Sequence, residues 1–88
     1  MKIFDPSAYP ELRDLFPELT PVQFETSMLL ALGLQQREIS TIRGVSYKAV
    51  KQSIAESKAK FESRSLNALL AAFRIRLDIF ALYRCRRP

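Results

Sequence analysis

A chain of 88 residues is the size of one small domain, which buries only about 60 to 65% of the surface its unfolded form exposes, so a two-domain enzyme is excluded. With 48% hydrophobic residues, 26% charged and two glycines, the composition is that of a folded protein, neither a disordered tail nor a fibrous repeat. A lone cysteine, Cys85, closes no intrachain disulfide, and the lack of histidine removes zinc sites, Cys/His nucleophiles and Ser/His/Asp triads. The net charge of +5 and the pI near 9.8 ask for a polyanionic partner, nucleic acid ahead of an acidic membrane surface.

The start, Met1 to Pro6, lacks the apolar core of a signal peptide, and no run of about 18 uncharged apolar residues follows. The expectation is a complete, cytoplasmic chain associated with the nucleoid. Residues 1–18 carry four acids against two bases, with Pro6, Pro10 and Pro17, and read as an N-terminal arm. From Leu19 the balance is twelve bases against five acids, so the positive field belongs to the body, residues 19–88. Within the arm, Pro10 to Phe16 predicts one short helix with Leu12, Leu15 and Phe16 as its apolar face.

The body has almost no period-two alternation, whereas apolar residues recur at steps of three and four, so the fold class is all-α. Thr20 before Pro21 predicts an N-cap with proline in the first turn, opening a helix that stops at Gly33. A second helix runs from about Gln35 to Arg43 and ends at Gly44, and Ser46 caps a third over 47–61. Its inward face is Val50, Ile54, Ser57 and Phe61. Ser63 or Ser65 opens a fourth, 66–83, and the basic tail from Arg84 reads as frayed, with Cys85 a free thiol.

Two helices joined by the tight turn Gly44-Val45-Ser46 predict a helix-turn-helix, in which the second helix enters the major groove. Opposite Val50 that helix carries Lys48, Gln52, Ala55 and Ala59, with Lys51 on the shoulder. Lysine donates to guanine O6 and N7, glutamine pairs with adenine N6 and N7, and an alanine methyl meets a thymine methyl. Free N–H groups at the helix start add a phosphate site. The competing reading is a merely solvated face.

The stretch LTPVQFETSMLLALGLQQREISTIRGVSYKAVKQSIAESKAKF resembles the C-terminal helix-turn-helix of LuxR-type transcriptional regulators, the GerE-like group, and the resemblance covers Leu19 to Leu70. It rests on Leu19-Thr20-Pro21, Glu25, Ala31, Gly33-Leu34, Arg37-Glu38-Ile39, Gly44-Val45-Ser46, Lys48, Val50 and Lys51. The resemblance implies a four-helix fold whose third helix reads the major groove and whose fourth mediates dimerisation. It implies that Lys51, Gln52 and Ala55 face bases, while Thr20, Arg37, Tyr47, Lys48 and Arg64 hold phosphates. The chain departs from the family at Thr26 and Ser27, at Arg43 and at Ser53, and Ile42 is expected to take over the packing of position 43. Region 4 of sigma factors shares the Glu-Ile, Gly-Val-Ser and Val-Lys succession and is the nearest rival, without the polymerase-binding domains.

The fourth helix carries two apolar seams on opposite sides: Leu66, Leu70, Phe73, Leu77 and Phe80, and Ala68, Ala72, Ile75, Ile79 and Leu82, with Arg74 and Asp78 in the polar stripe between. The first seam covers the core, and the second predicts a homodimer interface. Alternatively the arm's Phe4, Tyr9, Leu12, Leu15 and Phe16 cover it, alone or together with a dimer. A membrane-surface helix ranks below both, because such a helix needs one broad polar face.

The expectation is a stand-alone regulator without a sensor domain, binding double-stranded DNA as a homodimer. The alternative is an interaction module that pairs through its last helix with a full-length LuxR-type regulator. No enzyme is expected, since Glu25 and Glu38 match packing positions and no nucleophile has a base beside it. Neither cofactor, metal, small-molecule ligand nor membrane is expected as a partner.

Overall fold

Three of the described helices begin where a local side chain takes up a first-turn N–H group. In the computed structural model, which describes residues 10–86, the elements are α1 (Pro10–Asp14), α2 (Pro21–Ala31), α3 (Gln36–Arg43), α4 (Tyr47–Lys60) and α5 (Leu66–Arg86). The described residues are all-helical, with no strand.

Thr20 Oγ1 accepts from the Gln23 N–H at 3.2 Å and Gln23 Oε1 accepts from the Thr20 N–H at 3.1 Å, a reciprocal capping box for α2. The Gln35 N–H donates to Glu38 Oε1 at 2.9 Å at the head of α3. Ser46 and Ser65 accept from Ala49 and Ala68 N–H and open α4 and α5, so Ser65, not Ser63, is the cap. Gly44 ends α3 at φ 67°, a left-handed conformation free of steric penalty only for glycine, and the Val45 N–H then closes back on Ser40 O at 3.0 Å. After α4 the same left-handed position falls to Glu62, at φ 54°, with the Ser63 N–H on Lys58 O at 2.8 Å.

The core gathers Phe16, Leu19, Phe24, Met28, Leu29, Ile39, Val50, Ile54, Leu69 and Phe73. Phe16 lies at its aromatic centre, stacked on Phe73 with ring centroids 3.9 Å apart and flanked by Phe24 at 5.7 Å and Phe61 at 6.4 Å. The expected boundary between arm and body, at residues 18 and 19, therefore cuts through packed structure. Leu12 and Leu15 also pack against this core. The described part of the arm thus covers the first seam of α5 and leaves the second open, which overturns for these residues the expectation that it shields the second; Phe4 and Tyr9 lie outside the described residues.

Three further corrections concern helix ends and seams. The short N-terminal helix stops at Asp14 instead of Phe16, because Phe16 turns into the core. α5 continues through the expected frayed tail to Arg86, with Arg84 3.1 Å from Glu11. Leu69, in neither predicted seam, is fully buried, while Ala72 of the second seam is half-buried.

Arg76 fastens the N-terminal segment to α5. Its guanidinium sits over Phe16 and Phe61, donates to Leu15 O at 2.8 Å, and forks onto both Glu18 oxygens at 2.8 and 2.7 Å. The Arg76 hydrogen bond holds the Glu18 carboxyl down at about 2, against 4.5 for the free group. A carboxyl whose pKa is lowered by folding stabilises above its unfolded value and loses that contribution as it is protonated. Stability is therefore expected to fall between pH 4.5 and about 2. The pair is over a third solvent-exposed on the Glu18 side, so the screened contribution is about 1 kcal/mol. Urea titrations of wild type and Glu18→Gln at pH 6 and pH 2.5 check this: the difference between them should shrink at the lower pH.

The positions expected to depart from the family pattern fall into two separate hydrogen-bonded sets. Arg43 Nη1 donates to Thr26 Oγ1 at 2.8 Å, and Ser27 Oγ donates to Ser57 Oγ at 3.1 Å, which in turn donates to Ser53 O at 2.8 Å. Arg43 itself, with a side chain 12% exposed, occupies the interior and lies 3.5 Å from Glu25, its Nε without an aligned hydrogen bond. Ile42 does not replace it; Ile42 is only half-buried. Arg43→Ala is expected to lose about 1 to 3 kcal/mol by stranding Thr26 and Glu25. Thr26→Val combined with Arg43→Leu should recover only part of that loss, since the Thr26 hydroxyl is no longer stranded while the Glu25 carboxylate still lacks its partner. Thermal melts of the single and double variants check both signs.

Candidate nucleic-acid interface

α4 is two-faced because its apolar and small residues recur with the helical period. Val50, Ser53, Ile54 and Ser57 are buried, and Lys48, Lys51, Gln52, Ala55 and Ala59 are exposed on the other side. The three-residue turn from α3 sets the start of α4 beside the first turn of α3, so side chains from both helices meet there. Arg37 of α3 stacks its guanidinium 4.6 Å from the Tyr47 ring centroid, and Lys51 Nζ lies 5.5 Å from the same ring. Two cations on one aromatic plate concentrate positive potential, which an anion placed between them would relieve. At the same end, Ser46 Oγ takes the Ala49 N–H of the first turn of α4 at 3.0 Å.

Of the residues expected at bases, Lys51, Gln52 and Ala55 share one exposed face. Of those expected at phosphates, Arg37 and Tyr47 join Lys51, and Lys48 stands exposed one turn away. Thr20 sits apart on the N-cap of α2 with its hydroxyl engaged by Gln23. Arg64 is exposed in the link between α4 and α5, and no contact ties it to the others among the described residues.

Beside this face runs an open groove of about 250 Å³ lined by Gln36, Lys51, Ile54, Ala55, Lys58 and Leu66. Lys58 thereby extends the basic edge that begins at Arg37. On the other shoulder stands an acid that helical periodicity alone does not single out. Glu56 accepts from Gln52 Nε2 at 3.3 Å and from Gln23 Nε2 of α2 at 3.1 Å. The four-residue step from Gln52 to Glu56 is a signal present in the sequence; the contact with Gln23 is not.

On α5, Ile75, Ile79 and Leu82 are 58%, 62% and 67% exposed, and Ala68 is exposed beside them. None of the described helices is long and apolar enough to cross a membrane.

Comparison with known proteins gives no match: no family model fits the chain, and no curated protein and no solved structure is significantly similar to it.

Proposed function

We propose that this chain is a sequence-specific, double-stranded DNA-binding transcriptional regulator of LuxR type, with α4 in the major groove. The observation that carries the reading is the exposed face of α4, where Lys51 and Arg37 converge on Tyr47 and Gln52 and Ala55 stand clear of the fold. Cations against phosphate fix the register of a reading helix, and the polar and methyl groups beyond them select bases. The net +7 of residues 19–88 supports the same partner. The exposed strip of Ile75, Ile79 and Leu82 supports a homodimer, each copy taking one half-site.

The test is anisotropy of labelled duplexes across a salt series. With Arg37, Lys48 and Arg64 neutralising phosphates in two copies, log affinity is expected to fall with log salt at a slope of about −5, at −0.9 per phosphate. A flat response, or no affinity for duplex at low salt, overturns the reading. That outcome favours the second reading, which the same α5 strip supports: an interaction module that pairs with a full-length regulator and blocks or modifies it.

A further inference from the structure

Hydrogen bonds around Glu56 run from the interior of α2 to the exposed face of α4. Gln23 is fixed first, since its carbonyl oxygen caps the Thr20 N–H at 3.1 Å and its side chain is buried. Holding that oxygen sets the plane of the amide, and its Nε2 is left to donate to Glu56 Oε1 at 3.1 Å. The other carboxylate oxygen accepts from Gln52 Nε2 at 3.3 Å, one helical turn back along α4. An amide NH₂ has two hydrogens, and Glu56 takes one. The second hydrogen and the carbonyl oxygen of Gln52 remain as a donor and acceptor pair, the complement of adenine N7 and N6.

We propose that Glu56 is a positioning residue for base reading: it holds Gln52 in the orientation that selects a base, and Gln23 holds Glu56. The inference rests on the DNA-reading proposal above. A glutamine already held loses less freedom when it meets its base, which sharpens discrimination. The carboxylate also repels the phosphate backbone, which lowers affinity for DNA of every sequence. The two effects have opposite signs, and a residue that only braced the fold would not separate them.

The experiment is selection of binding sites from randomised duplexes, with affinities for the selected site and for random duplex measured at one salt concentration. Gln52→Ala identifies the base pair whose preference Gln52 supplies. Glu56→Ala is expected to relax the preference at that same pair by about 3- to 10-fold, part of what a bidentate contact provides. At the same time it should bind random duplex about 2- to 5-fold more tightly, having lost one negative charge. In the Gln52→Ala background, Glu56→Ala should change nothing further at that pair. Glu56 is exposed and alanine favours a helix, so the cost to the fold is confined to the Gln23 amide that it releases, which a thermal melt measures. Gln23→Leu should relax the same preference without raising affinity for random duplex, because the acid remains.

An unchanged preference in Glu56→Ala, or equal losses on selected and random duplex, overturns the positioning role while the regulator reading stands. The positioning role also falls if Gln52→Ala relaxes no base pair of a site that the wild type selects. A wild type that binds no duplex at low salt overturns the regulator reading and this inference with it.

Discussion

Replacing Phe16 with alanine is expected to remove about 3 to 5 kcal/mol of folding stability, the usual loss for a fully buried phenylalanine. Phe16 has no exposed surface, stacks on Phe73 at 3.9 Å and touches the rings of Phe24 and Phe61. Its removal takes a central ring from an aromatic cluster shared by α2, α4, α5 and the N-terminal segment. The Arg76 guanidinium, which lies over Phe16 and is tied to Glu18 and Leu15, would lose its apolar floor as well. A domain of this size has a total stability of roughly 4 to 13 kcal/mol, so the variant stands near the edge of folding at 37 °C. Urea unfolding of wild type, Phe16→Leu and Phe16→Ala gives the ordering. A loss below about 1 kcal/mol would place residues 10–18 outside the cooperative unit and return them to the role of a detachable arm.

Ile79→Glu is expected to leave that stability nearly unchanged and yet to weaken operator binding by about 10²- to 10⁴-fold, the advantage that linking two sites provides. Ile79 is 62% exposed, and a charge there meets water in a single copy. In the proposed two-fold dimer the same charge would face its own symmetry mate in a contact that Ile75 and Leu82 make apolar, and each half-site would then be bound alone. The described N-terminal residues leave this strip open, since Leu12, Leu15 and Phe16 are occupied on the core side of α5. The expectation therefore differs in sign from that of a strip sealed within one copy, where Ile79→Glu would destabilise the monomer. Sedimentation of both proteins over a range of concentrations, with melts alongside, decides it. A wild type that sediments as a monomer at every concentration and still binds the full operator would remove the dimer.

Helix starts and stops were legible because they are local. Thr20-Pro21, Gly44 and Ser46 act on N–H and C=O groups within about four residues, so the order of α2, α3 and α4 could be written before any packing was known. The buried and exposed sides of α4 were legible for a similar reason, its period being visible in one helix taken alone. In α5 the same method was coarser. Two opposed apolar seams mark two apolar sides, but Leu69 lies between the expected core positions and is nonetheless fully buried, because the angle at which α2 and the Phe16 segment approach is absent from the period.

Tertiary contact alone decided the rest, since each such pairing joins residues whose meaning in isolation is different. Thr26, Ser27 and Arg43 each read as a departure at a packing position; brought together, Thr26 receives Arg43 and Ser27 meets Ser57, which leaves only the Arg43 Nε among these buried side-chain groups without an aligned hydrogen bond. Phe16 read as part of the apolar face of a short helix in an acidic, proline-bearing arm, and only the fold shows Phe73 as its stacking partner. Glu56 drew no reading from the sequence, and its part became visible only where the capped Gln23 reaches it across 33 positions. Caps and periods are interactions along one stretch of chain and can be read from it, whereas a buried hydrogen bond or a stacked ring draws its stability from a neighbour that only the folded chain brings near.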